Sequence, residues 1–344
     1  TKGPSNRCFY TLFLVVTLAF FPSFLCTQSA PELRPYTQLD PLDTLTGQAF
    51  LRPATSFNSG RFYTAAGVGT VIYTGATLAL WQSWYADFPR GPFQTFNDWP
   101  EWLQMDKAGH AFTAYQYSRY VFAAARWTGQ KRSSARISAF AVSTMLQGTI
   151  EVLDGFSPQW GFSWSDIAAN TLGSTFFLAQ DLLWKEQRIL FKVSNNLRPI
   201  PDIPVINSNG AESNLGYIVR ERFGDNLTER YLKDYNNQTI WLSANLRSFA
   251  PQSTIPHWLN LAVGYGAENV YGALGNIWNV DGEGFRYPEE RYRQWFLSPD
   301  IYLSRIPTKK RWVRLLLGTL DFFKFPAPTL EYSNGGFKGR WLMW

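Results

Sequence analysis

The chain is poor in the residues most often used for thiolate and imidazole chemistry: two cysteines and two histidines in 344 residues. Both cysteines, Cys8 and Cys26, fall in the first 29 residues. Cleavage there leaves no thiol, which excludes disulfides, cysteine nucleophiles and zinc–thiolate sites from the remainder. Charged residues are also sparse, at 17%. Without residues 1–29 the chain has 30 Lys and Arg against 26 Asp and Glu, a dispersed excess too mild for a nucleic-acid partner. Gly-x-Ser-x-Gly and Gly-Lys-Ser/Thr loops are missing, and "GYGAEN" from Gly264 lacks the third glycine of a dinucleotide loop. The sequence therefore names no cofactor.

Aromatic residues are plentiful, at 15 Trp, 17 Tyr and 27 Phe. Trp and Tyr gather where apolar and wet surfaces meet, so a membrane or an envelope protein is the expected partner. The first 29 residues point the same way. Lys2 and Arg7 precede an apolar run, Phe9 to Phe21, and small residues follow in "CTQSA", the layout of a secretory signal peptide. Acylation at Cys26 is the alternative, although Leu25 stands where a small residue is expected. Either route predicts an exported protein, periplasmic or outer-membrane-associated.

Residues 30–60 read as an extended lead-in. Phe62 to Ala86 then runs 25 residues without a charge, long enough to cross a bilayer. Its Gly67, Gly69 and Gly75 equally suit a buried or interfacial helix packed closely on a neighbour. Capping residues and loop breakers predict three further helices, Asp106 to Trp127, Ser134 to Leu153 and Ser165 to Val193. Residues 61–195 are thus expected to form a bundle of about four helices. Prolines mark 196–238 as a connecting segment. Beyond it the period changes to two, as in Ile240, Leu242 and Ala244 or Leu259, Leu261 and Val263, predicting a β-rich region over 239–344. Pro299 would confine its strand to an edge or a bulge. Thr308 to Phe325 reads as a basic amphipathic helix, and the chain ends in a hairpin turning at Asn334 to Gly336. The fold class is α+β, with four to six strands, fewer than the roughly eight of the smallest outer-membrane barrels.

Polar residues cluster near one end of each of three helices. In "QMDKAGH", Asp106, Lys107 and His110 share a face, though Asp106 could instead be an N-cap. In "EVLDG", Glu151 and Asp154 oppose the helix dipole at a C-terminus, which calls for a cation or donor nearby. In "SWSDIAANTLG", Ser163 or Ser165 can cap a helix on which Asp166, Asn170 and Gly173 form a strip. One shared site is the simplest way to satisfy these groups.

These three stretches, in this order, resemble the predicted periplasmic lipoprotein family of unknown function that includes YfiM. More distantly they are similar to the VanZ-like membrane family, whose Asp-Lys-x-x-His, Glu and Asp-x-x-x-Asn-x-x-Gly helices correspond to Asp106, Lys107, His110, Glu151, Asp166, Asn170 and Gly173. Asp154 stands where the VanZ-like pattern has Gln. The resemblance covers roughly Trp84 to Lys192 and implies an envelope location and a common helical core, with no reaction attached.

Three readings of the site follow. In the first, the six polar residues Asp106, Lys107, His110, Glu151, Asp166 and Asn170 pin the helices together in a structural or partner-binding protein. In the second, His110 is an acid or base tuned by Asp106 or Glu151, with Lys107, Asp154, Asp166 and Asn170 holding a phosphate- or lipid-linked envelope substrate of a hydrolase or transferase. In the third, His110, Glu151, Asp154 and Asp166 hold a hard divalent metal.

Overall fold

A computed structural model describes residues 49–81 and 90–343. The expected signal peptide, Cys26 and most of the lead-in lie outside the described residues. Among the described residues the protein is mixed α/β, with eight α-helices, twelve strands and a six-stranded antiparallel sheet in the C-terminal part.

Helix α1 spans Ser59–Leu80 and is capped by Asn58, whose side chain accepts from Arg61 N at 2.9 Å. No described helix is long and apolar enough to cross a membrane. The short strand β1, Thr95–Phe96, precedes α2, Met105–Trp127, and α3, Arg132–Gly155. Strand β2, Phe162–Ser163, pairs in parallel with β1 and leads into α4, Trp164–Leu183. Helix α2 packs on both α3 and α4. Its approach to α4 is close because Gly173 has no side chain: a Cβ there would lie 2.1 Å from the carbonyl oxygen of Ala111.

The helix expected to run to Val193 stops ten residues earlier. Lys185 adopts a left-handed φ of 57°, and Ile189–Asn195 forms β3. Its alternation explains the change. Leu190, Lys192 and Ser194 point into the structure, a period of two that a helix cannot satisfy. Residues 196–238 carry a hairpin, β4 (Pro204–Ile206) with β5 (Glu212–Asn214), and two helices, α5 (Leu215–Phe223) and α6 (Leu227–Lys233).

The sheet continues with β6, Gln238–Asn245; a short helix α7, Leu246–Phe249; and β7, Leu259–Glu268. A second hairpin, β8 (Ile277–Val280) with β9 (Glu283–Arg286), precedes β10, Tyr292–Ile301. Helix α8, Arg311–Leu320, then leads to β11, Ala327–Ser333, and β12, Gly336–Met343, which turn through left-handed Asn334 and Gly335. The strand order is β12-β11-β10-β7-β6-β3. Pro299 lies in an interior strand rather than at an edge. It is tolerated because the ladder between β10 and β11 ends at Leu297 and Leu330, before the proline.

This sheet curls. Lys192 on β3 reaches Asp300 on β10 at 2.9 Å, although β6 and β7 lie between and a flat sheet would hold these strands about 14 Å apart. The outer edge of β3 meets the segment before β11 in a parallel bridge, with Val193 N donating to Phe322 O and Lys324 N to Val193 O, both at 2.8 Å. Trp241, Ala262, Phe296 and Met343 fill the inside, and Gly264 makes room for the Trp241 ring. Helix α2 covers one corner of the opposite face, where Met105 and Phe112 meet Ile240 and Tyr265.

Candidate functional site

The site is built at the first turn of α2. Trp102, Leu103 and Gln104 all adopt left-handed backbone, with φ of 50°, 51° and 62°. Each such non-glycine residue costs about 1–2 kcal/mol, so the turn must be held from outside. Trp102 N donates to Ala273 O at 2.7 Å, the Tyr265 hydroxyl donates to Leu103 O, and Arg293 donates to the Gln104 side chain at 2.6 Å. Gln104 occupies the cap position without a side-chain cap bond. Asp106 is therefore not the N-cap. It lies within the first turn, and its carboxylate turns to Lys107, His110 and the Tyr235 hydroxyl, which donates to it at 3.0 Å.

Lys107 is buried and its Nζ contacts three carboxylates, Asp98 at 2.6 Å, Asp166 at 2.6 Å and Asp106 at 2.8 Å. Asp98 is placed by the β1–β2 pair and accepts from the hydroxyls of Ser163 and Ser165, both at 2.6 Å. Of the two serines, Ser163 caps α4, accepting from Asp166 N at 3.1 Å. His110, one turn on from Asp106, places Nδ1 3.1 Å from Asn170 Oδ1 and 3.5 Å from Glu151 Oε1. Its Nε2 lies 3.6 Å from Asp106 and 3.7 Å from Asp166. Gln147 donates to Asn170 Oδ1 at 2.8 Å, so this amide oxygen is shared by two helices.

The ends of all three helices therefore meet. Asp154 is the exception among the singled-out residues. Its backbone carbonyl accepts from Ser157 and Gly161 at the end of α3, and its charge acts on Glu151 from a distance. Asp98, Gln147 and Tyr235 complete the cluster and had not been read from the sequence. Gln147 stands one turn before Glu151 on α3, a spacing that could have shown it. Nothing local marks Tyr235, which comes 129 residues after Asp106.

Burial and crowding of like charge set the protonation states. Burial pushes Glu151 up to about 8, His110 opposing and Asp166, Asp154 and Asp106 adding to the rise. Asp166 is raised for the same reasons. In His110 burial favours the neutral ring, but Asp106, Asp166 and Glu151 outweigh it and lift the pKa to about 9. Burial also acts on Asp98, where hydrogen bonds from Asp166, Lys107 and the two serines prevail and hold it far below the usual carboxylate range. At neutral pH the histidine is a cation beside a protonated Glu151.

Two features bear on chemistry. Oxygen and nitrogen atoms of Asp106, His110 and Asp166 lie within 4.8 Å of one another, a donor set that hard divalent cations accept. The Lys107 ammonium, however, already contacts both of those carboxylates, at 2.8 and 2.6 Å, and its positive charge opposes that of a bound cation. Glu151 is different: it is 1% exposed and neither of its oxygens has a hydrogen-bond partner, while Nδ2 of Asn170, the other neighbour of His110 Nδ1, is also unpaired. The His110 side chain keeps 19% of its surface accessible.

Residues 95–180 match the family model described as "Predicted periplasmic lipoprotein (DUF2279)". The match runs from β1 to α4 and contains every member of the cluster except Tyr235. It accords with an exported protein of the periplasm or outer membrane. No curated protein and no solved structure matches the chain.

Proposed function

We propose that this protein is a structural or partner-binding component of the bacterial cell envelope, with the Lys107 half of the cluster acting as a clamp. The observation that carries this reading is the Lys107 ammonium, held at 2.6–2.8 Å by carboxylates from α2, α4 and the loop after β1. An ammonium so occupied has no free face for a substrate phosphate. Helix α1 joins the other three helices as the fourth member of the bundle, supported by the bond from the Tyr73 hydroxyl to Leu146 O at 3.3 Å. The signal-like first 29 residues supply the export route. The test is Lys107→Met: the variant should melt several degrees lower, and an unchanged melting curve would overturn the clamp.

A second reading is favoured by the unpaired Glu151 oxygens beside His110. Here His110 and Glu151 act as an acid–base pair of a hydrolase or transferase on an envelope substrate. His110→Gln separates the two. Loss of envelope integrity in complemented cells, at a temperature where the variant is still folded, supports chemistry, whereas full complementation removes it.

A further inference from the structure

The polarity of the six-stranded sheet is the reverse of that in a sheet with water on its open face. In register, the inward positions of the four strands β7, β10, β11 and β6 include Asn260, Gln294, Ser298, Glu331 and Ser243, all buried. The outward positions beside them are Leu261, Val263, Trp295, Leu297, Leu330 and Tyr332, each 41–50% exposed. A sheet half in water alternates apolar-in and polar-out. The opposite alternation is that of strands whose outer solvent is hydrocarbon.

We propose that this outer face rests against the acyl chains of a phospholipid bilayer. Three further observations select lipid over a protein surface. Every acidic residue of the six strands, Glu268, Asp300 and Glu331, falls in an inward position, and the outward charge is Arg293, at the end of β10. Aromatic residues edge the apolar surface at one end, where Tyr265, Trp295, Tyr332 and Phe337 are direct cross-strand neighbours in one row over β7, β10, β11 and β12, with Trp295, Tyr332 and Phe337 exposed. Aromatic rings so placed are the usual markers of the headgroup level. The chain between β10 and β11 repeats the pattern: exposed Lys309 and Lys310 precede α8, which exposes Trp312, Leu315 and Leu316. Basic residues beside an exposed apolar helix face complement anionic headgroups.

The inward charges then have a reason to be sealed. Lys192 is fully buried against Asp300 and Asp321, and Ser243 donates to Asp300 at 2.6 Å. Facing hydrocarbon, a strand must turn its charged residues inside and satisfy them there. This inference rests on the envelope location and is independent of the Lys107 clamp.

The experiment is flotation of the full chain with vesicles of phosphatidylethanolamine and phosphatidylglycerol, alongside sedimentation without lipid. The intact chain should float, and its tryptophan fluorescence should be quenched by brominated acyl chains, less so in Trp295→Leu. The double variant Val263→Lys, Leu297→Lys should bind at least about tenfold more weakly, because each lysine would have to enter hydrocarbon or hold the face away from it. Its melting in detergent-free buffer should be unchanged, since both positions face outward. The proposal is overturned if the intact chain stays at the bottom of the gradient. It is also overturned if the face instead joins two copies, shown by a dimer that the double variant dissolves with no change in flotation. Neither result touches the Lys107→Met melting test, so failure of lipid contact and failure of the clamp are told apart.

Discussion

Of the lysines buried among the described residues, Lys192 and Lys107 differ most in their surroundings. Lys192, inside the curled sheet, is fully buried; it meets Asp300 and donates to Ile301 O at 2.7 Å. Its partners are saturated in turn: Asp300 accepts from Ser243 and Phe325 N, and Asp321 from Leu303 N, Ser304 N and the Ser304 hydroxyl. Lys107, at the helix ends, has three carboxylates, two of which keep some exposure, and a fourth acid beside the cluster, Glu151, has no hydrogen bond at all. The first cluster is complete and sealed. The second has hydrogen-bonding capacity left over on its His110 side, in the Glu151 oxygens.

The comparison is broken most severely by Lys192→Met. Removing the cation leaves Asp300 with only the more distant Lys324 ammonium, at 3.9 Å, and strips Asp321 of its contact with Lys192, a loss of about 3–5 kcal/mol readable in urea unfolding. Lys107→Met should cost less, about 2–3 kcal/mol, because Asp98 and Asp106 are partly exposed and can rehydrate, whereas Asp300 is fully buried. Equal losses would show the two clusters to be the same kind of object. Gly173→Ala should cost about 1–3 kcal/mol in urea unfolding by driving α4 from the Ala111 backbone.

The pH dependence sharpens the contrast. Glu151 is raised to about 8 and His110 to about 9, so the folded state holds protons that the unfolded chain releases near 4.5 and 6.5. Where the folded state binds more protons, stability falls as pH rises. The protonated His110, faced by Asp106, Asp166 and Glu151 and opposed by Lys107, contributes fully below about pH 6.5, and this is lost by about pH 9. Glu151 adds a decline between about pH 4.5 and 8. Each retained proton is worth about 1.4 kcal/mol per pH unit over its window. Glu151→Gln should flatten the slope below pH 8 and change stability at pH 5 by less than about 1 kcal/mol, since the amide mimics the protonated acid. A slope unchanged in Glu151→Gln would assign it elsewhere.

The helical cluster was legible because its chemistry is local. Asp106, Lys107 and His110 share one turn, and helix spacing alone brings Asp166 to Asn170. The Lys192 cluster was not, because period-two strands conceal their partners: Lys192, Asp300 and Asp321 come from three distant segments that meet only once the sheet curls. By sequence alone Lys192 falls in the tail of a helix, since "LFKV" after a long helical stretch carries no breaker residue. The alternation in 239–344 was visible, yet which set of residues faces inward cannot be read from period alone. A rule that apolar residues go inside gives the wrong face here. Asp98 escaped for another reason: it is delivered by a two-residue strand pair too short to leave a pattern.

The turn at Trp102, Leu103 and Gln104 has a consequence for where His110 stands. Three consecutive left-handed residues without a glycine keep that shape only while Ala273, Tyr265 and Arg293 hold them. Two of these three anchors are strand residues, Tyr265 on β7 and Arg293 on β10. The axial position of α2, and with it the height of His110 against Glu151, is thus gauged from the sheet like a pointer mounted on a dial. A displacement of β7 against β10 would be read out at the histidine, some distance along the chain from whatever touched the strands.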